Sequence, residues 1–149
     1  IPLGALAEWA RAQFGDRAAK KGLMLDVAAA GEALTSDRSL VELILRNLLD
    51  KAIKFTPGGG RVAMRVARQG GRVRFQVSDT GIGIRPAEQP RVFERFFQTD
   101  AARTGDGAAR GIGLGLAIVK HTCERLGATV SLESEYGSGT TVTVVVPDT

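Results

Sequence analysis

At 149 residues the chain is long enough to bury a real core and suits a single domain, residues 1–149. Its 44% hydrophobic and 24% charged content is ordinary for a globular domain, and no apolar run approaches the roughly 20 residues needed to span a bilayer. A net charge of +4 comes with only 5% aromatic residues and no basic cluster interleaved with them, which argues against a nucleic-acid partner. The single cysteine, Cys123, excludes an internal disulfide and fits a reducing, cytoplasmic compartment. Ile1-Pro2-Leu3 carries no signal peptide and reads as the cut edge of a longer protein.

Residues 3–21 read as a helix, because Leu3, Leu6, Ala7, Ala10 and Phe14 recur at helical spacing and Gly22 can stop it. Residues 23–27 form a strand candidate. A turn at Ala30-Gly31-Glu32 leads to a second short strand near residues 33–35, and the two are expected to make a hairpin. Ser36 or Asp37 caps a long helix reaching about Phe55. Along it Leu40, Ile44, Leu48 and Ala52 form one apolar stripe, widened by Val41, Leu45 and Leu49. Asn47, Lys51 and Lys54 share another face, which reads either as a solvated side or as a functional row.

Pro57-Gly58-Gly59-Gly60 ends that helix, and residues 61–68 and 71–79 form a hairpin around Gln69-Gly70-Gly71. Pro86 to Pro90 make a short helical turn. Phe93, Phe96 and Phe97 form a hydrophobic plug, and residues 98–110, with little to bury, read as a lid loop. A helix opens at Gly111-Ile112-Gly113-Leu114-Gly115 and runs to about Leu126, with Gly127 as its stop. Strands at residues 129–133 and 140–146 close the chain around the turn Tyr136-Gly137-Ser138-Gly139.

The chemistry concentrates in the glycine-punctuated stretches. Asp79-Thr80-Gly81-Ile82-Gly83 follows a strand, so a carboxylate is delivered at a rigid strand end into a loop that glycine makes permissive. An ionised carboxylate only accepts hydrogen bonds, which suits the exocyclic amine of adenine and rejects the carbonyl of guanine. The same residues also make ordinary turns. A helix opening with Gly111, Gly113 and Gly115 offers bare N–H groups to an anion. It is neither the dinucleotide fingerprint, which needs GxGxxG after a strand, nor a P-loop, which needs a following Gly-Lys-Ser/Thr.

The order of these stretches closely resembles the ATP-binding catalytic domain of two-component sensor histidine kinases, within the superfamily of DNA gyrase B, Hsp90 and MutL. Asn47-Leu48-Leu49-Asp50-Lys51-Ala52-Ile53-Lys54-Phe55-Thr56 resembles the N box. Asp79–Gly83 resembles the first glycine box, Phe93 to Phe97 the F box, and Gly111 to Gly115 continuing into Ala117-Ile118-Val119-Lys120 the second glycine box. Gly137-Ser138-Gly139-Thr140 resembles the short box before the last strand. The resemblance spans nearly the whole chain. It implies a two-layer α/β sandwich with a mixed five-stranded sheet and three main helices on one face, the Bergerat-type fold. It also implies ATP held between the N-box helix and the lid. Asp79 would take the adenine amine with Thr140 nearby, Phe55 would lie against the purine, and Lys54 would reach the phosphates or ribose. Gly111, Gly113, Leu114 and Gly115 would cradle the phosphates, and Gly81 and Gly83 would shape the rim. Asn47 would be the catalytic and metal-side amide. In the parent protein the γ-phosphoryl group would pass to a histidine on an upstream dimerisation domain and then to a response regulator. The isolated chain is expected to be a monomer and the parent a homodimer, with membrane attachment left to the parent.

Two features depart from that family's pattern. Lys51 stands where the family has a second asparagine that ligates Mg²⁺, and an ammonium has no lone pair for a metal. Two such charges at contact repel by about 1 kcal/mol even in water, and by more as the site dries. The expectation is that Lys51 either weakens metal–ATP binding or replaces part of the metal's charge, which keeps open a catalytically impaired pseudokinase or regulatory module. The second departure is His121, followed by Thr122 on a helix, which reads as a surface residue and not as a phosphoacceptor. A gyrase/MutL-type ATPase is the remaining reading, but it looks to a glutamate where Asn47 stands, and an amide is no base.

Overall fold

The computed structural model describes residues 1–95, 97 and 115–149. In chain order these form α1 (Leu3–Lys20), β1 (Met24–Ala30), α2 (Arg38–Phe55), β2 (Arg61–Gln69), β3 (Arg72–Asp79), a 3-10 turn (Gln89–Arg91), α3 (Gly115–Leu126), β4 (Thr129–Glu135) and β5 (Gly139–Pro147). The strands make one mixed sheet in the order β1-β2-β3-β5-β4. Only β1 and β2 pair in parallel; the other three pairs are antiparallel.

Every strand turns one side inward, that of β4 being only half-buried. In β3, Val73, Phe75 and Val77 alternate inward and are at most 3% exposed. They meet Val66 and Met64 on β2 and Val142, Val144 and Val146 on β5. The helices cover this one face. Leu3, Leu6, Ala7, Ala10, Phe14 and Ala18 of α1 are buried, as are Val41, Ile44, Leu45, Leu48, Leu49, Ala52 and Ile53 of α2. Full burial of each large aliphatic side chain contributes about 1.5–3 kcal/mol, an upper figure because a denatured chain already hides part of that surface. The expected two-layer sandwich is therefore what forms, with the apolar stripes of α1 and α2 turned to the sheet.

The ends of the helices follow local chemistry. Asp37, not Ser36, caps α2: its Oδ1 accepts the Leu40 N–H at 3.1 Å, while Ser36 Oγ is buried and finds no partner among the described residues. At the other end Lys21 Nζ donates to the carbonyls of Ile53 and Lys54 at 2.6 and 2.8 Å, placing a cation on the last turn of α2 where helix carbonyls lack partners.

The expected hairpin at residues 23–35 does not form. β1 runs on to Ala30 and pairs with β2 along its whole length, while Ala33 bridges Pro2. The reason is topological. A parallel neighbour cannot be reached by a tight turn, so the chain must cross over through a helix, which is α2. Residues 31–37 carry the chain back past the start of α1, burying Leu34 completely on the way.

Candidate functional site

Asp79 is the last residue of β3 and continues its inward alternation after Val73, Phe75 and Val77. A carboxylate is thus aimed into the layer between sheet and helices. Its cross-strand neighbours are Val62 on β2 and Thr140 on β5. Oδ1 accepts the Gly81 N–H at 2.9 Å and the Thr140 N–H at 3.3 Å, and no partner of Oδ2 is found among the described residues. One oxygen is held by the backbone, and the other has no partner among the described residues. Burial raises the Asp79 pKa above the usual carboxylate value, and the two backbone hydrogen bonds oppose that rise only in part.

Around it lies an open pocket with about 610 Å³ of empty space, including its solvent-open part. Its walls are mostly apolar: Leu48, Ala52 and Phe55 from α2, Ile82 and Ile84 from the loop after β3, and Leu116, Leu132 and Val142 from α3, β4 and β5. Lys51 and Asp79 are the ionisable side chains among its described lining residues. An apolar slot with a few aimed polar groups is the usual form of a small-molecule site.

The glycines are required by close approach. A Cβ on Gly81 would run into the Phe55 carbonyl, which also accepts the Ile82 N–H at 3.2 Å, so the loop is seated on the end of α2. Gly83 has φ +72°, and a Cβ there would strike the Glu135 carbonyl. The loop is tied to the far strands as well. Ile84 N–H donates to Ser134 Oγ at 2.8 Å, Gly137 N–H to the Ile82 carbonyl at 2.7 Å, and Gln89 Nε2 to the carbonyls of Ile84 and Ser134 at 2.9 and 3.1 Å.

The structure gathers Asp79, Gly83, Phe55, Lys51 and Thr140 into the pocket wall, with Gly81 at the foot of the same loop. Thr140 anchors Asp79 through its backbone, while its hydroxyl lies 2.8 Å from Ser134 Oγ. Asn47 donates its amide to the Leu43 carbonyl at 2.8 Å, and a Cβ built on Gly115 would lie 3.7 Å from its Oδ1, so α3 approaches α2 there. Lys54 is not in the wall. Its Nζ lies 3.5 Å from Asp50 Oδ2, and Asp50 Oδ1 is also held by Arg17 at 2.7 Å. Phe93 and Phe97 pack partly buried against the core, as a plug would. Phe96, Gly111, Gly113, Leu114 and the lid of residues 98–110 lie outside the described residues. His121 is exposed on α3. Cys123 is buried, with its thiol pushed up to about 11 by burial, and is inert.

Sequence reasoning missed most of the apolar wall. Leu132 and Val142 sit on strands far along the chain from Asp79, and their only advance signal was strand alternation. The seating of Gly81 on the Phe55 carbonyl had none.

The residues present fit a divalent cation poorly. Asn47 offers one amide oxygen, Lys51 offers an ammonium, and among the described residues no group of three His, Cys, Asp or Glu side chains could hold a metal. Mg²⁺ asks for oxygen ligands in a near-octahedral set.

Residues 36–149 match the sequence profile of the family described as histidine kinase-, DNA gyrase B-, and HSP90-like ATPase. Over 121 residues the chain is 40% identical to the sensor-like histidine kinase SenX3 of Mycolicibacterium smegmatis, covering 81% of this chain and 31% of that protein. The chain thus spans about a third of the length of the curated relatives it matches. Among solved structures, the mycobacterial sensor histidine kinase MprB superposes with a TM-score of 0.84 at 29% identity, over 99% of this chain and 96% of that one. Full-length ShkA in complex with AMPPNP superposes at 0.83 with 34% identity, over 99% of this chain and 30% of that one. The pocket at the end of β3, the mixed sheet under its helices and these likenesses place the chain in the histidine kinase-, DNA gyrase B- and HSP90-like ATPase family, as an ATP-binding catalytic domain of the sensor histidine kinase kind.

Proposed function

We propose that this chain binds ATP with the adenine amine on the free oxygen of Asp79 and the purine in the apolar slot beside Phe55. The observation that carries the reading is the division of labour within one pocket-lining carboxylate: Oδ1 is fixed by Gly81 and Thr140, and Oδ2 has no partner among the described residues. A carboxylate so placed accepts from an amine and repels a carbonyl, which selects adenine over guanine. The phosphates extend from there toward Asn47 and Gly115, where α3 meets α2. The family resemblance assigns the rest of the phosphate cradle to Gly111, Gly113 and Leu114, which lie outside the described residues, with Gly83 on the rim.

In a longer sensor kinase the bound nucleotide donates its γ-phosphoryl group to a histidine outside this chain, on an upstream dimerisation domain, and a response regulator receives it next. His121, exposed on α3 and outside the pocket wall, is read as a surface residue and not as that acceptor. The domain works in the cytoplasm, where ATP is supplied. No helix among the described residues is long and apolar enough to cross a membrane, so any anchoring belongs to the parent. The chain itself is monomeric and takes no nucleic acid.

One observation favours a second reading. Lys51 in the pocket wall leaves a poor donor set for the Mg²⁺ that phosphoryl transfer uses to bridge phosphate oxygens. A module that binds nucleotide and regulates without transfer would tolerate that. Joining the chain to a dimerisation domain that carries a phosphoacceptor histidine, and following acid-labile phosphate from labelled ATP, separates the two. Labelled histidine supports transfer. ATP binding without label supports the regulatory module. ATP hydrolysis by the isolated chain without label would favour the gyrase/MutL type of activity and overturn both.

A further inference from the structure

We propose that Lys51 is a built-in counter-charge for the ligand's phosphates, so that this pocket takes the free anion of an adenosine polyphosphate without a divalent cation. The inference rests on the reading of the pocket as an adenine-nucleotide site.

The argument begins with the surroundings of the ammonium. Lys51 Nζ lies 4.8 Å from the centroid of the Phe55 ring. Among the described residues it has no carboxylate within ion-pair distance. The nearest in sequence, Asp50, is taken by Arg17 at 2.7 Å and by Lys54 at 3.5 Å. Lys51 therefore sits in a largely apolar wall, with the Phe55 ring as its partner among the described residues. Burial chiefly, and then the neighbouring charge of Lys54, lower its pKa, with Asp50 opposing them. A cation that is poorly solvated and lacks a counter-ion favours an anion as ligand.

The second step is position. Lys51 follows Asn47 by one helical turn and precedes Phe55 by another, on the side of α2 that faces the pocket. Phe55 and Asp79 line the pocket at the proposed purine end, while Asn47, which Gly115 approaches, lies two turns earlier on α2 and outside the described lining. Lys51 lies between them along α2, on the stretch where, in this reading, the phosphates would leave the ribose. A cation on an aromatic face is held by a weaker attraction than an ion pair gives. A phosphate oxygen offers a charge-assisted hydrogen bond in exchange.

The third step is what the same volume excludes. A divalent cation beside an ammonium is repelled, and the described residues near Lys51 offer it one amide oxygen, that of Asn47, beyond what waters and phosphates supply. One charge can occupy that place well, and the chain already provides it.

The test is calorimetric titration of the 149-residue chain with adenosine, ADP and ATP, each in excess EDTA and in millimolar Mg²⁺. The wild type, Lys51→Asn and Lys51→Arg are compared. The wild type is expected to bind ADP and ATP within about threefold of the same affinity in both media. Lys51→Asn is expected to lose tenfold or more in EDTA, regain it with Mg²⁺, and bind adenosine as the wild type does. Lys51→Arg, which keeps the charge, is expected to keep metal-free binding, and thermal melts of both variants report folding. A wild-type affinity for ATP that rises tenfold or more on adding Mg²⁺ overturns the proposal, as does metal-free ATP binding by a folded Lys51→Asn equal to the wild type. Those results leave adenosine binding intact. Absence of adenosine, ADP and ATP binding alike would instead overturn the nucleotide reading on which the proposal rests.

Discussion

Replacing Asp79 by asparagine separates recognition from stability at a single atom. In the wild type Oδ1 accepts from Gly81 and Thr140 at 2.9 and 3.3 Å, and Oδ2 of this pocket-lining residue has no partner among the described residues. The amide of Asp79→Asn satisfies both backbone donors only with its oxygen in the Oδ1 place, which turns its NH₂ toward the ligand. An amine donor of adenine then meets a donor, and a charged hydrogen bond worth about 1.5–3 kcal/mol is lost. Taking about 2–3 kcal/mol for the loss, ATP affinity should fall about 30- to 150-fold, and the preference for ATP over GTP should collapse, because the NH₂ now suits a carbonyl. Stability should move the other way. Burial raises the folded-state pKa of Asp79, so the folded chain holds that proton more tightly than the unfolded chain. This margin is fully present below the usual carboxylate pKa and is lost as pH rises through the raised value. At neutral pH the buried charge is therefore a net cost. Asp79→Asn removes that cost and keeps the hydrogen bonds, so the Tm of the ligand-free variant at pH 7 should rise. Titration with ATP and GTP, beside thermal melts without ligand, reads both effects. ATP affinity within threefold of the wild type would refute the assignment of Asp79, and a lower Tm would refute the account of its burial. In the wild type, ATP affinity should also decline on acidification from a higher pH than an ordinary carboxylate would give.

Two further substitutions test the frame of the site. Gly81→Ala forces a Cβ against the Phe55 carbonyl and must displace the Ile82 hydrogen bond. It should destabilise by about 1–3 kcal/mol in urea melts and weaken ATP and adenosine equally, since it moves the purine end; unchanged binding would show that the seating is unimportant. At the opposite edge Arg68 grips Asp148 with two nitrogens at 2.8 and 3.0 Å, and the carboxyl falls to about 2. Its depressed pKa gives stability that is present above the usual carboxylate pKa and lost as pH falls through about 2. Both partners are about one-third exposed, so Asp148→Asn should lower Tm slightly at low salt, at both pH 7 and pH 5, and hardly at all at high salt. A salt-independent loss would contradict the screening argument.

Much of the site was legible because it depends on local chemistry. Strand alternation followed by a carboxylate and two glycines placed Asp79 and its loop, and a 3.6-residue stripe placed α2 with its caps. The row of Asn47, Lys51 and Lys54 shows where legibility stops. Helical spacing gives the angle of each side chain about the axis but not what stands at that angle. Lys51 proved to line the pocket, while Lys54 was drawn to Asp50, which Arg17 also holds. The expected hairpin at residues 23–35 failed for a related reason. A strand's own residues do not specify its partner, and β1 took β2, reached across a helix, over the segment next to it.

Composition, periodicity and glycine placement by themselves determined the elements, the buried faces and the carboxylate at the strand end, since each depends on residues close along the chain. Only the tertiary structure decided that Leu132 and Val142 wall the pocket, that the Phe55 carbonyl admits no side chain at position 81, and that the ammonium of Lys51 has an aromatic ring in place of a carboxylate beside it. Those outcomes are set by which surfaces meet when the helical layer closes on the sheet.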